Sequence, residues 1–413
     1  MQSEPNNRPA GANRPTRLRQ LFRHRALLAL AFALITIAVV TIAAYPPGRV
    51  YLANGQTGSS QRVLAEKFRD VFARHGVDLV LVDSPTQNQG ATQSGGKKSP
   101  VSARFVTAGE SSAADLPGQV SLGSVQYAPI WLFYRGDAFA GGDPLRALAN
   151  RRVAVGLDGA STRNLLTKLL SVAGVTFARK DNLFELTHQD AVERFIAGTI
   201  DAVFIIDGVD APTIQKLVAA PRAKLYAFSL VDAYVSNLPF LEKVEIPRAA
   251  LNVRTIFPPD TTAMLASSTT LVVDKDMHPA IQWLFLMAAR EIGLNRSQIV
   301  AKPGFFPAYL DRSLPLSPVV RSYYDSGRMP ATFDYLPYWL ATPLSLASLA
   351  ALALLAQLAL FISWSAYWTR KLHRSRASPL REAEEGLAVA SIDSSPPAAN
   401  PTAQPGKSRA HRR

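Results

Sequence analysis

Two short stretches of small, hydroxyl-bearing residues are the strongest candidates for a binding site. The first is Thr57-Gly58-Ser59-Ser60, and the second is Asp158-Gly159-Ala160-Ser161-Thr162. Each follows a predicted strand and opens a predicted helix, where backbone N–H groups lack helical partners and the helix dipole is positive. Such a place suits an anion, and small hydroxyl side chains add donors without blocking the backbone. The two turns therefore predict a site for a carboxylate or a similar anion.

Ordinary helix capping is the alternative for either turn taken alone. The hydroxyl of Ser59 or Ser161 would accept a hydrogen bond from the first helical turn and stabilise the helix without any ligand. The carboxylate of Asp158 would repel an anion, so we expect it to point away or to hold an amino group of the ligand. Two such turns in one chain favour a binding site over two unrelated caps.

Three further polar residues are predicted to face the same cleft. Gln126, Tyr127 and Asp207 stand at strand ends or in segments that cross between the two halves of the chain. Trp131 and Phe133 lie in an apolar run and are predicted to belong to the core. The candidate ligand-binding residues are Thr57, Gly58, Ser59, Ser60, Gln126, Tyr127, Asp158, Ser161, Thr162 and Asp207.

The sequence carries no recognisable catalytic motif. It has no cysteine, which excludes disulfides, thiolate metal sites and a cysteine nucleophile. Its six histidines form neither an HExxH motif nor a close pair, and we expect them to be solvated or to cap helices. No nucleophile elbow and no glycine-rich phosphate loop is present. Asp274 and Asp276 are predicted to start a helix rather than to bind a metal. The chain is therefore predicted to be a binding protein, not an enzyme, without cofactor or metal.

Behind the two turns, short apolar strands alternate with amphipathic helices, which indicates βαβ units and an α/β fold. The helix after Ser59 carries Phe68 and Phe72 on one face. The apolar run 200–206 is of the kind that is buried on both faces of a parallel sheet. The predicted strands are 50–53, 79–82, 104–107, 120–122, 130–134, 152–156, 200–206, 225–228 and 269–273, and the predicted helices begin near residues 59, 165, 190, 212 and 278.

Two uncharged apolar runs of 19 residues lie towards the ends of the chain, at 26–44 and 344–362. A membrane-spanning helix needs about 20 such residues, so both runs are predicted to span a membrane. Tyrosines and tryptophans flank the second run, as they do at membrane–water interfaces. A cleaved signal peptide is the alternative for the first run, and a buried core helix is the alternative for the second.

The net charge of +14 resides mainly in the two tails. Residues 1–25 hold six arginines against one glutamate, and residues 369–413 hold nine basic residues against four acids. The charge therefore gives no basic face for nucleic acid. By the positive-inside rule it predicts a bacterial inner-membrane protein with two spans, both termini cytoplasmic and the main domain periplasmic, with the lipid bilayer as a partner.

Four segments and one stretch before the second apolar run have the order and spacing of a known family. On these residues, over about 48–341, the chain resembles the membrane-anchored branch of the TAXI family, the solute receptors of TRAP transporters. Its first turn departs from the commoner family pattern of paired glycines followed by an aromatic residue. The segments are NGQTGSSQRVLAEKF (54–68), SLGSVQYAPIWLFYR (121–135), LANRRVAVGLDGASTRNLLTKLL (148–170), IAGTIDAVFIIDGVDAP (196–212) and SYYDSGRMPATFDYLPYWLA (322–341).

The resemblance implies a two-lobed, venus-flytrap domain of the periplasmic-binding-protein class, type II-like, which closes on its ligand by a hinge movement. The implied ligand is a small organic anion, such as an amino or keto dicarboxylate, and the implied partner is a TRAP-type permease or another inner-membrane protein. The alternative is a membrane-anchored sensor or scaffold that signals to a membrane partner without delivering cargo. The predicted organisation is a basic cytoplasmic tail (1–25), a transmembrane helix (26–44), a periplasmic solute-binding domain (45–340; lobe 1 about 48–140 and 250–335, lobe 2 about 145–245), a second transmembrane helix (341–364) and a basic, disordered cytoplasmic tail (365–413).

Overall fold

The computed structural model of the chain describes residues 45–83, 101–137, 145, 148, 151–157, 160–175, 182–295, 299–329, 351, 354 and 358. The chain divides into two compact units, Ala43–Leu344 and a second one made of Met1–Ile42 and Ser345–Arg413. All the helices and strands given below belong to the unit Ala43–Leu344.

Strands and helices alternate along most of this unit, as the sequence predicts. The strands are β1 (Arg49–Ala53), β2 (Asp78–Val82), β3 (Ala103–Thr107), β4 (Gln119–Tyr134), β5 (Val153–Val155), β6 (Leu183–Glu185), β7 (Ala202–Ile206), β8 (Lys224–Leu225), β9 (Glu242–Ile246) and β10 (Thr262–Asp274). The helices are α1 (Ser60–Arg74), α2 (Ser161–Ala173), α3 (His188–Ala197), α4 (Pro212–Ala219), α5 (Val231–Asn237), α6 (Pro279–Asn295) and α7 (Arg321–Ser326).

The strands form one mixed sheet in the order β2-β1-β3-β10-β4-β7-β5-β6, with β8 beside β4 and β9 beside β10. Strands β1, β2 and β3 are parallel to one another, and so are β5, β6 and β7. The long strands β4 and β10 pair antiparallel at the centre and separate these two parallel groups. Each parallel group with its helices forms one lobe, and β4 and β10 run through both lobes.

The first lobe is built on β1, β2, β3 and the adjoining halves of β4 and β10. Helices α1 and α6 cover it, and their aromatic side chains meet in its core: the ring centroids of Phe72 and Phe285 lie 4.6 Å apart, and those of Phe68 and Phe285 lie 5.9 Å apart. Phe68 and Phe72 are fully buried, which confirms the predicted apolar face of this helix.

The second lobe has a core on both faces of its sheet, because alternate residues of a strand point to opposite faces. Ile130 and Leu132 of β4 pack on the side of α2, whereas Trp131 and Phe133 pack on the side of α3 and α4. Trp131 and Phe133 have no exposed surface, so their predicted place in the core is confirmed. This packing places the passage between the lobes inside β4 and β10, near residues 128 and 267.

The two central strands, β4 and β10, differ most in length from the predicted strands. The predicted strands 120–122 and 130–134 are parts of the single strand β4, which continues through Gly123 and Pro129. A single glycine or proline usually marks the end or edge of a strand. Gly123 is tolerated because its φ is +103° and the Tyr324 hydroxyl occupies the space of a side chain there. Strand β7 is buried along its length, but it is parallel only to β5 and antiparallel to β4.

The prediction of an inner-membrane protein with two spans is wrong: the described residues of the structure contradict it. No helix among the described residues has the length and apolar character needed to cross a bilayer. The longest described helix, α6, has 17 residues and is buried in the core of the first lobe. The run 26–44 lies outside the described residues, as do both predicted tails, and only residues 351, 354 and 358 of the run 344–362 are described.

Candidate functional site

A small cavity lies between the lobes, at the carboxyl ends of β1, β3, β5 and β7. Ligands of open α/β sheets bind in the crevice outside the carboxyl ends of the strands. The cavity has a volume of about 30 Å³, which is enough for one or two water molecules. Four of the predicted site residues line it, namely Ser59, Ser161, Thr162 and Asp207.

The first turn presents its donors to a carboxylate of the opposite lobe. Ser60, the first residue of α1, donates its backbone N–H and its hydroxyl to Asp207 Oδ1, at 2.9 and 2.5 Å. The N–H of Gly208 donates to the same oxygen at 2.8 Å. The side-chain amide of Gln126 donates to Ser60 Oγ at 2.9 Å. Ser60, Gln126 and Asp207 are all at least 96% buried, so this network is shielded from water.

Ser59 has the capping role that the sequence allowed as the alternative. It is the N-cap residue of α1, and its hydroxyl oxygen accepts from the N–H of Arg62 at 3.3 Å. The capping hydroxyl and the hydroxyl that holds the carboxylate therefore belong to successive residues. This division explains why the turn contains two serines.

The second turn has a corresponding contact with the other lobe. Ser161 is the first residue of α2 and donates its hydroxyl to Glu110 Oε2 at 2.6 Å. The N-cap residue is Ala160, which has no capping side chain, so the alternative of a cap at Ser161 does not apply. Lys168, two turns along α2, donates its ammonium group to the carbonyl of Gly109.

Burial of Glu110 between the lobes disfavours its charged form and raises its pKa to about 7. The hydroxyl of Ser161, a backbone N–H bond from Thr107 and the charge of Lys168 act in the opposite direction. A carboxyl group in this state exchanges its proton near neutral pH.

A histidine completes the wall of the cavity. His188 Nδ1 lies 3.5 Å from Asp207 Oδ2, and His188 Nε2 lies 3.3 Å from Thr162 Oγ1. Among the described residues, neither Asp207 Oδ2 nor His188 Nδ1 has a hydrogen-bond partner, although both are buried. The carboxylate, not the imidazole, contacts Ser60, so the order differs from a nucleophile–histidine–acid triad. The arrangement can bind a polar group, and it offers both an acceptor and a titratable ring.

The other predicted site residues lie near the cavity or elsewhere. The hydroxyl of Thr57 is exposed and contacts Arg62 at 3.4 Å. The hydroxyl of Thr213, in the second lobe, donates a hydrogen bond of 3.0 Å to the carbonyl of Gly58, in the first lobe. Tyr127 stacks on Phe305, with ring centroids 5.8 Å apart, and its burial raises its pKa to about 12. Asp158 lies outside the described residues.

Several residues that the sequence did not single out also line the cavity or bind beside it. Gln56, Thr107 and His188 line it, and Glu110 holds Ser161. His188 is the first residue of α3 and follows β6, so it holds the same position after a strand as Ser60 and Ser161. That shared position was a usable signal. No such signal marks Glu110 or Thr107, because no helix follows β3 directly.

Residues 130–281 match the model of the NMT1-like family. The matched segment contains the second lobe and the crossing part of β10. With the two-lobed α/β fold, this match supports a solute-binding protein and does not single out the TAXI family. No curated protein matches the chain.

The solved structures that match the chain do so at low similarity. The aliphatic sulphonate binding protein SsuA from Escherichia coli is 18% identical, with a TM-score of 0.36, over 68% of this chain and 83% of that chain. The alkanesulfonate-binding protein SsuA from Xanthomonas axonopodis pv. citri, bound to MOPS, is 17% identical with a TM-score of 0.34, over 60% and 73%. OxyR from Corynebacterium glutamicum is 10% identical with a TM-score of 0.37, over 70% and 81%. At this similarity, neither ligand nor function transfers to the chain.

Proposed function

We propose that the chain is a solute receptor that binds a small organic anion between its two lobes. The observation that carries this proposal is the contact of Ser60 with Asp207, because a carboxylate there accepts one backbone N–H and one hydroxyl at a helix start. A helix N-terminus with these donors is suited to any carboxylate of similar reach. The match of residues 130–281 to the NMT1-like family supports the same class of protein.

Binding requires the lobes to separate first, since a cavity of about 30 Å³ cannot admit an organic solute. The only described strands that run through both lobes are β4 and β10, so bending within them would open the cleft. Opening would withdraw Asp207 and Glu110 and leave the donors of Ser60 and Ser161 to the solute. Two helix starts facing one cleft favour a solute with two acidic groups, such as an amino or keto dicarboxylate.

Delivery to a TRAP-type permease is the finer part of this proposal. It rests on the resemblance of the segments within 48–341 to the TAXI family. A second candidate function is a sensor or scaffold that passes lobe closure to a partner protein without delivering cargo. The contacts of Ser60 with Asp207 and of Ser161 with Glu110 favour this candidate, because they join the two lobes through side chains of the chain itself.

Thr162 provides a sharp test, because its buried hydroxyl lines the cavity and is not engaged by a carboxylate. We expect the full-length protein to bind at least one organic anion from a panel of mono- and dicarboxylates, measured by calorimetric titration. Thr162→Val keeps the side-chain shape and removes the hydroxyl, so affinity should fall roughly 10- to 150-fold if that hydroxyl bonds a charged group.

Thr167→Val is the matched control, since Thr167 lies on the same helix but is exposed and bonds to the carbonyl of Arg163. It should bind like the parent. Parental affinity in Thr162→Val would place the solute elsewhere. Failure of the parent to bind any member of the panel would overturn the anion receptor and favour the scaffold.

A further inference from the structure

The two lobes are joined by two reciprocal contacts on either side of the cavity. In the first latch, Ser60 of the first lobe holds Asp207 of the second lobe. In the second latch, Ser161 of the second lobe holds Glu110 of the first lobe. In both latches the serine is the first residue of a helix, and the acid follows a strand of the opposite lobe. Each lobe therefore gives one carboxylate and receives one.

Close packing surrounds the first latch. A Cβ atom at Gly208 would lie 2.7 Å from Ser60 Oγ, so only glycine allows the backbone to approach this closely. The side chain of Thr213 reaches the carbonyl of Gly58 at 3.0 Å, and Lys67 pairs with Asp210 at 3.5 Å. All of these contacts join the first lobe to the second.

The second latch is enclosed in the same way. A Cβ atom at Gly109 would lie 2.3 Å from the ring of Phe240, and Lys168 binds the carbonyl of Gly109. The ammonium group of Lys168 also lies 5.4 Å from the centroid of that ring. The turn that carries Glu110 is therefore held by α2 and by the segment before β9.

We infer that Asp207 and Glu110 are tethered ligands that occupy the two helix starts and hold the two lobes together without a solute. Closure by these two carboxylates does not depend on the proposed receptor function. Its consequence, that a solute must displace the two carboxylates, does rest on that function. Asp207 Oδ2 has no hydrogen-bond partner among the described residues and lies 3.5 Å from His188 Nδ1. The first latch therefore engages only Oδ1 of this carboxylate. Opening the lobes would break the two bonds from Ser60 and keep the bond from Gly208, which belongs to the same lobe as Asp207.

Spin labels on the two lobes can measure closure without any solute. The chain has no cysteine, so Ala73→Cys and Ala197→Cys place labels on exposed positions of α1 and α3. Pulsed electron paramagnetic resonance on the full-length protein should give one short distance in the absence of solute. Asp207→Asn keeps the shape and removes the charge, so the closed-to-open ratio should fall at least about fivefold.

Two further variants keep the test decisive. Gly208→Ala leaves every hydrogen-bonding side chain in place and forces the first latch apart by a steric clash, so it should lengthen the distance as well. Asp201→Asn is the matched control, because Asp201 pairs with Arg152 at 2.7 Å inside the second lobe, and it should keep the parental distance.

A long distance in the solute-free parent would overturn the inference. So would a parental distance in both Asp207→Asn and Gly208→Ala, and if one of them does not fold, the other decides alone. These outcomes do not depend on any solute. Failure of the receptor function would show in the titration of the panel, so the two failures are distinguishable.

Discussion

The first and second latches share one plan and differ in how their carboxylates are held. Asp207 Oδ1 accepts two bonds from Ser60 and one from Gly208, in a site where Asp207 is 4% exposed. Glu110 is only partly buried, and its hydroxyl partner is Ser161. A serine at the first helical position is therefore common to both, whereas the burial of the carboxylate differs. We infer that the first latch supplies most of the closure free energy and that the second adjusts it with pH.

The largest effect is expected from removing the carboxylate of the first latch. Asp207→Ala leaves the buried donors of Ser60 and Gly208 without their acceptor, so the free energy of unfolding should fall by about 2–4 kcal/mol. Glu110→Ala removes a less buried carboxyl group and should cost about 1 kcal/mol. Urea unfolding of the full-length variants at pH 7 measures both. Equal losses would break the distinction between the two latches.

Raising the pH is expected to open the cleft through the second latch. The pKa of Glu110 is about 7 in the closed form, against 4.5 for an ordinary glutamate. The closed form thus holds the proton more tightly, so closure is most favoured below pH 4.5 and weakens as pH rises through 7. Between pH 5 and pH 8, the closed-to-open ratio should fall roughly 10- to 100-fold. The distance between labels at Ala73→Cys and Ala197→Cys measures this ratio.

Other charged groups face the same region and must be separated from Glu110. Lys168 and the hydroxyl of Ser161 lie against it, and Asp207 and His188 line the adjoining cavity. Glu110→Gln keeps an acceptor for Ser161 without a titrating proton, so most of the pH dependence should disappear. An unchanged pH dependence in this variant would show that Glu110 is not its source.

A smaller effect is expected from the cap that only the first helix start has. Ser59 accepts from the N–H of Arg62, whereas Ala160 gives α2 no side-chain cap. Ser59→Ala should lower the free energy of unfolding by about 1 kcal/mol. Ser236→Ala, which removes an exposed hydroxyl from α5, should change it by less than about 0.5 kcal/mol. Thermal or urea unfolding on the same samples compares the two variants. Equal losses of unfolding free energy would show that the Ser59 cap does not stabilise α1.

The sequence predicts much of the local structure because the signals are local. Helix α4 begins at Pro212, as predicted, since proline is favoured in the first helical turn. Strand β4 is longer than predicted because it continues through Gly123, where the Tyr324 hydroxyl occupies the space of a side chain. The contact of Ser60 with Asp207 joins residues that are 147 positions apart in the sequence. No pattern within either segment identifies the residue that it contacts. The sequence therefore indicates the two helix starts but not the acids that occupy them.

The smallest expected effect concerns affinity, and it follows from the same exchange of carboxylates. If a solute replaces Asp207 at Ser60, the hydroxyl bonds a carboxylate both before and after binding. Its loss in Ser60→Ala then weakens the empty and the occupied forms alike, so the affinity for a dicarboxylate should fall by no more than about threefold. Thr162→Val, whose hydroxyl is not held by an acid in the empty form, should lose far more. Calorimetric titration of the two variants compares these losses directly. A loss for Ser60→Ala as large as for Thr162→Val would mean that Asp207 does not compete with the solute.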